Sequence, residues 1–310
     1  MSAPGIAGLI ETLKALKQDG GIAHITGMTG GASALACARL SESTGGQLLI
    51  IVSSHEKAKQ MEEFLAFFAA GRKVYVLPDE ERSMFSYEAK SRVLSYKRLE
   101  CLTAALSEED CIFVAPVMAA VKGMPDVSRF RDVCIDISLG DTVDYEQIRE
   151  MLVFTGYERT EVTEVKGQFS MRGGIIDIFP PDCEYPCRID LFDNEVDDLK
   201  IFDPLTQRSV RALDRVHISP AMVPNPVSED KAAFLWDYMS AEKFIIADDW
   251  DRICEQRDLA DREWAAGIAS QAELKIEEDA SCGAQDSDLR DPVKREEYIR
   301  RMNQRPEYFL

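Results

Sequence analysis

Apolar residues at Ile6, Leu9, Ile10, Leu13 and Leu16 recur at helical spacing, so the chain opens on an amphipathic helix. Three uninterrupted apolar runs follow: Leu48–Val52, Val74–Leu77 ended by Pro78, and Cys111–Ala115 ended by Pro116. Runs without polar alternation belong to strands buried on both faces. A further strand is read at Ile22–Thr26, ahead of a helix over Ala34–Leu40. Between the later runs lie two helical patterns, one carrying Met61, Phe64, Leu65 and Phe68, the other Val93, Leu94, Tyr96, Leu99 and Leu102. Strands alternating with helices predict a doubly wound α/β sheet over residues 1–124, ending at Gly123-Met124-Pro125.

The pattern then changes. A short helix is expected at Tyr145–Phe154, and after it come strands with no helices between them: Glu158–Phe169, Gly174–Phe179, Arg188–Phe192 and Glu195–Phe202. Asp193-Asn194 suits a hairpin turn between the last two. Residues 125–220 therefore read as a smaller α+β domain built on an antiparallel sheet with one open face. Residues 221–310 return to α/β character, with a helix at Ala232–Met239, a strand at Phe244–Ala247 and a charged helix from Asp251. That segment has too few strands to bury its own apolar faces, so it is expected to complete the first core. From Glu277 the tail is acidic and poor in large apolar residues, with a terminal helix expected only at Arg295–Met302.

The 310 residues fit two or three domains. With 45% hydrophobic and 29% charged residues, no apolar run of membrane-spanning length and no secretory pattern at Met1–Gly5, the expectation is a cytoplasmic, soluble protein with no membrane partner. A net charge of -19 argues against a nucleic-acid grip, which needs clustered Lys and Arg. The 8 cysteines are irregularly spaced, and Cys183 and Cys187 have no histidine near them, so neither a disulfide nor a zinc site is expected.

The stretch from His24 to Leu40 has the outline of a phosphate-binding loop, whose pattern is G-x-x-x-x-G-K-[ST]. Gly27 takes the first glycine position and Ala32 the second, while Gly30 and Gly31 keep the loop flexible. Ser33 stands where the Lys belongs, and Ala34 where the hydroxyl that holds Mg²⁺ belongs. The cation and the metal ligand are both missing, so no catalytic residue, metal or nucleotide cofactor is expected here.

The most distinctive run is Gly167-Gln168-Phe169-Ser170-Met171-Arg172-Gly173-Gly174-Ile175-Ile176-Asp177-Ile178-Phe179-Pro180-Pro181. It is followed by the segment Arg188–Asp197, which reads RIDLFDNEVD, and by Phe202–Ser209, which reads FDPLTQRS. In this combination and order the segments resemble the UvrB-homology family, shared by the excinuclease subunit UvrB and the N-terminal part of transcription-repair coupling factors (Mfd). The decayed loop at Ser33 and Ala34 resembles the coupling-factor branch. So does the lack of a tyrosine-rich hairpin between Leu77 and Arg98, where Tyr87 and Tyr96 read as helix-packing aromatics. Asp248-Asp249 occupies the place of a Walker-B pair; a helix N-cap by Asp249 or Asp251 accounts for it equally well.

The resemblance implies a RecA/helicase-like P-loop core, with domains corresponding to UvrB domains 1a, 2 and 1b over residues 1–124, 125–220 and 221–310. It implies a non-catalytic module that recruits UvrA through its middle domain. The parent would be an ATP-dependent translocase that meets RNA polymerase and DNA through regions outside this chain. The alternative is a UvrB-like module that binds nucleotide or DNA directly. Family UvrA-binding positions match Arg172, Arg188 and Phe192, with Asp190 beside them. Arg188, Asp190 and Phe192 alternate along one strand and share a face; an Arg beside an exposed aromatic is the usual composition of an interface hot spot. Without the resemblance, Arg188 and Asp190 read as a cross-strand salt bridge on a solvated face, and Phe192 is as readily core as surface, though Ile189 and Leu191 suit the core better.

Overall fold

The structure is a computed structural model and describes residues 6–18, 23–28, 30–69, 71–79, 92–107, 109–224, 233–260 and 262. Tyr87, Cys282, the tail from Glu277 and the terminal helix read at Arg295–Met302 lie outside the described residues.

Four apolar strands, β1 (Gln47–Val52), β2 (Lys73–Val76), β3 (Cys111–Pro116) and β12 (Lys243–Ala247), form an all-parallel sheet in the order β12–β1–β3–β2. The period of two divides their side chains between two cores. Leu48, Ile50, Val52, Ile112 and Val114 face one side. There they meet α1 (Ile6–Gln18), α2 (Ala32–Thr44) and α3 (His55–Phe68) through Ile10, Leu40, Met61 and Leu65. Leu49, Phe113 and Ala115 face the other side, against α4 (Arg92–Leu106) and α5 (Val117–Ala120). β12 is laid down late in the chain yet pairs with β1 from Gln47↔Lys243 to Ile51↔Ala247, so the last described segment shares the sheet of the first. The strand read at Ile22–Thr26 is not formed: residues 23–28 carry no regular structure, and Ile25 is exposed. Ile22 lies outside the described residues.

The second sheet has six strands, β5 (Glu158–Arg159), β6 (Gln168–Arg172), β7 (Ile175–Ile178), β8 (Cys187–Phe192), β9 (Glu195–Phe202) and β10 (Ser209–Ala212), paired in reverse chain order. All ladders are antiparallel except that between β5 and β6. In place of the single strand expected over Glu158–Phe169 there are two short parallel strands, with residues 160–167 as the loop between them. Two further strands, β4 (Ile135–Ser138) and β11 (Arg215–Ile218), pair with each other, and neither was anticipated from the sequence. One face of the six-stranded sheet buries Phe169, Ile176, Ile178, Ile189 and Leu199 with Ile148 and Leu152 of α7 (Tyr145–Phe154). α7 begins where it does because the Asp144 carboxylate accepts from the Glu146 and Gln147 amides, at 2.9 and 3.1 Å.

The short α6 (Val127–Asp132) and α8 (Leu235–Tyr238) close the first core through Phe130, Leu235 and Tyr238. The helix expected over Ala232–Met239 shrinks to this single turn. The two sheets meet at α4. The Tyr96 hydroxyl donates to the Lys166 carbonyl at 3.2 Å, and Arg92 lies 3.4 Å from Glu158. Next to that bond Gly167 has φ 80°, and a Cβ there would collide with the Tyr96 hydroxyl, so both backbone and packing favour glycine. Tyr96 is thus a packing aromatic, as its helical spacing suggests.

Candidate partner-docking site

The open face of the six-stranded sheet is a ladder of charges. Cross-strand register places Ser170, Asp177, Arg188 and Lys200 in one row and Arg172, Ile175, Asp190 and Asp198 in the next. Asp177 sits at the middle, its side chain 1% exposed. Arg188 holds both of its oxygens, Nε to Oδ1 at 2.6 Å and a terminal nitrogen to Oδ2 at 2.9 Å. This two-point bond is the main cause that raises the Arg188 pKa above its ordinary value. Arg172 reaches Oδ2 from the other side at 3.3 Å, with its own side chain 54% exposed. One buried carboxylate therefore anchors two guanidinium groups, one of them largely in solvent.

The FDPLTQRS segment completes the clamp on Arg188. The Asp203 carboxylate accepts from the Leu205 and Thr206 amides and the Thr206 hydroxyl, which closes the turn. The turn leaves Gln207 at φ 58°. Its side-chain oxygen accepts from Arg188 at 3.2 Å, while its amide nitrogen donates to the carbonyls of Pro204 and Thr163. The Arg188 guanidinium also lies 4.4 Å from the centre of the Phe202 ring.

These contacts correct two readings. Arg188 and Asp190 share a face but do not pair with each other: Arg188 pairs with Asp177, and Asp190 with Lys200 at 2.5 Å, where Lys200 also reaches Asp198 at 2.8 Å. Arg188 is also not an exposed donor. Its side chain is 16% exposed and already bonded on both edges. Phe192, by contrast, is 74% exposed at the tip of the β8–β9 hairpin, on the outward side that Ile189 and Leu191 leave to it. A bulge between Asp190 and Leu191 lies just before it. The sequence reading missed Asp177, Gln207 and Lys200; a lone acid inside the apolar run Ile175–Phe179 was the signal for the first of them.

The two glycines after Arg172 have separate reasons. Gly173 has φ 61° in the β6–β7 turn, and a Cβ on Gly174 would lie 2.6 Å from the Leu191 carbonyl oxygen, whose own amide donates to Gly174. Gly174 thus lets the start of β7 lie close against the end of β8. Arg172, the partly exposed Ile175 and Phe192 therefore border one end of the sheet.

At the parallel sheet, Gly27 and Gly30 have φ 87° and 58°, and Gly31 precedes the first turn of α2, which holds Ala32, Ser33 and Ala34. Ala34 is fully buried in the core. Asp248 continues the β12 ladder, its amide donating to Ile51, and its charge reaches Cys37 in α2; burial first and Asp248 second push that thiol up to about 12. Asp249 precedes a helix over residues 250–260, and its carboxylate accepts from the Arg252 amide at 3.4 Å, so the N-cap account fits it. Cys183 and Cys187 are free thiols, raised chiefly by burial, Cys183 to about 12. Among the described residues, no cluster of three or more His, Cys, Asp or Glu side chains could hold a metal, and no helix is long and apolar enough to cross a membrane.

Residues 135–223, which contain the whole charged sheet, match the family model of the UvrB interaction domain. The chain is 32% identical over 197 residues to the transcription-repair-coupling factor of Bacillus subtilis (strain 168), a match covering 64% of this chain and 17% of that protein. Its similarity to the factor of the same name from Staphylococcus aureus (strain Mu50 / ATCC 700699) has the same identity and coverage. The match thus spans well under a quarter of the length of either relative.

Proposed function

This chain is a homologue of the UvrB-homology module of transcription-repair coupling factors, and from that premise we propose that it is a non-catalytic docking module that recruits UvrA in DNA repair. The observation that carries the reading is the coincidence of the UvrB interaction domain, residues 135–223, with a sheet whose open face ends in Arg172, Ile175 and Phe192. Arg172 offers a mostly solvent-exposed guanidinium to a partner carboxylate, and Phe192 an apolar anchor. Arg188 acts one step behind them, as the residue that fixes Asp177, and Asp190 is tied to Lys200. The site is a cooperative rather than an additive set, since Asp177 links both arginines.

The parallel sheet serves as scaffold. We read it as a P-loop core of the helicase type whose loop has lost its chemistry, with Ser33 and Ala34 at the cation and metal-ligand positions and Asp248-Asp249 as the remnant of an acidic pair. Ala34 is packed into the core, where a metal-binding hydroxyl would have no access to solvent. Translocation, ATP use, and contact with RNA polymerase and DNA would belong to other parts of a parent protein acting in the bacterial cytoplasm. The three units, 1–124, 125–220 and 221–310, would correspond to UvrB domains 1a, 2 and 1b, the first and last sharing one sheet.

Titration calorimetry of the whole chain against purified UvrA tests the reading. Saturable binding is expected, weakened about tenfold or more by Arg172→Ala or Phe192→Ala. No binding by the unaltered chain overturns the docking role. Incubation with ATP and Mg²⁺ tests the non-catalytic part: turnover that Ser33→Ala abolishes would make the module an enzyme.

A further inference from the structure

The ladder between β5 and β6 ends at Arg159↔Phe169, but β6 runs on to Arg172. On that side of β6 the carbonyls of Gly167 and Phe169 accept from the amides of Glu158 and Thr160, each at 2.9 Å. On the other side the Gln168 carbonyl accepts from Phe179 of the segment that continues β7. The period of two along a strand therefore sets the N–H and C=O of Met171 on the outer edge, beyond the last residue of β5. The Thr160 hydroxyl donates to the Val162 carbonyl at 2.9 Å, which turns the chain aside instead of letting it extend the ladder. A groove of about 520 Å³ opens there, lined by Arg159, Thr160, Glu161, Val162, Met171 and Arg172.

Two guanidinium groups against one carboxylate make this groove locally positive in a chain whose net charge is -19. Val162 is 39% exposed, and Met171, 7% exposed with its side chain in the core beneath the sheet, closes the floor of the groove. An open main-chain edge, an apolar floor and basic rims together suit an extended acidic peptide, which can add to a sheet as a strand. Arg172 borders both this groove and the Asp177 anchor.

We propose that the free edge of β6 at Met171 receives an extended, carboxylate-bearing segment of UvrA as an added strand, with Arg159 and Arg172 pairing its acidic side chains. This rests on the reading that UvrA docks on this sheet, and it names the mode of recognition: main-chain pairing on β6 in addition to side-chain contacts at Arg172 and Phe192.

Hydrogen-exchange mass spectrometry on the unaltered chain, alone and saturated with UvrA, reads the main-chain half on overlapping fragments that resolve Met171. Its amide is expected to exchange about tenfold or more slowly in the complex, with smaller changes at Gln168 and Ser170, which face β7. The side-chain half is read by Arg159→Glu, which should weaken UvrA binding about tenfold or more without shifting the melting curve, while Lys59→Glu on α3 leaves binding unchanged. Unchanged Met171 exchange in a formed complex, or full-strength binding by Arg159→Glu, overturns strand addition and leaves the docking role standing. Failure of the unaltered chain to bind UvrA overturns both.

Discussion

Asp177 and Arg188 face each other across the β7–β8 ladder, and one guanidinium holds both oxygens of a carboxylate that has almost no contact with solvent. A pair of this kind is more a constraint than a source of net stability, because both charges have lost water. Removing one partner is costly, since the other is left buried and unmatched.

Arg188→Ala is therefore expected to lower folding stability by about 2–3 kcal/mol, toward the low end for a broken buried pair because Arg172 still reaches Asp177. Arg172→Ala, which removes a mostly exposed side chain, should cost less than about 1 kcal/mol. Urea unfolding of the two variants checks the ordering; equal costs would mean that Asp177 does not distinguish its two arginines.

Phe192→Ala separates recognition from folding most cleanly. The ring is mostly in solvent, so the stability change should stay within about 0.5 kcal/mol. UvrA affinity should nevertheless fall about tenfold or more, as for an aromatic anchor at an interface. Calorimetric binding and thermal melts on one preparation give both values.

Gly167→Ala should loosen the seam between α4 and the charged sheet. The residue has φ 80° and faces the Tyr96 hydroxyl, so backbone strain and overlap add to a loss of roughly 1–3 kcal/mol. Adding Tyr96→Phe removes the overlapping oxygen. The double variant should recover about 0.5 kcal/mol or more relative to additivity, measured by a double-mutant cycle on urea midpoints.

The β4–β11 pair carries an acid-sensitive contact. Burial pushes the Asp136 carboxyl up, but hydrogen bonds and charge from His217 and Arg215, each 3.0 Å away, outweigh it and hold the pKa below the usual range. A depressed folded pKa contributes stability above the unfolded value of about 3.9, and that contribution is lost as pH falls through the folded value. Asp136→Asn should flatten the stability profile below about pH 4 by less than about 1 kcal/mol, because the carboxylate is half exposed. Urea midpoints across that range, compared between variant and unaltered chain, measure it.

Elements whose side chains alone determine their form were readable in the sequence. α7 and β9 fall at the residues their spacing predicts, and β1 is central and parallel as its uninterrupted apolar run implies. The failures involve backbone geometry imposed from a distance. Glu158–Phe169 reads as one strand, yet its apolar residues Val162, Val165 and Phe169 do not alternate, and the chain leaves the sheet as a loop between the parallel β5 and β6, where Gly167 meets Tyr96. β4 and β11 are four residues each and find one another across most of the middle region, which no local window reveals. At the candidate site the facing of Phe192 was legible from alternation. The true partner of Arg188 was not, because side-chain period fixes a face but says nothing about which neighbouring strand lies opposite.

The pairing of β12 with β1 has a consequence for how the molecule comes into being. A ribosome delivers β1, β2 and β3 first, then every strand of the charged sheet, and only afterwards the edge that covers β1. Until β12 emerges, the β1 edge is an open, apolar template of the sort that recruits wrong neighbours. The charged sheet, whose ladders mostly join consecutive strands, can condense while that edge still waits. Synthesis thus imposes a sequence in which the charged sheet can mature before the parallel sheet is sealed, and the period of greatest exposure to aggregation lies between the two events.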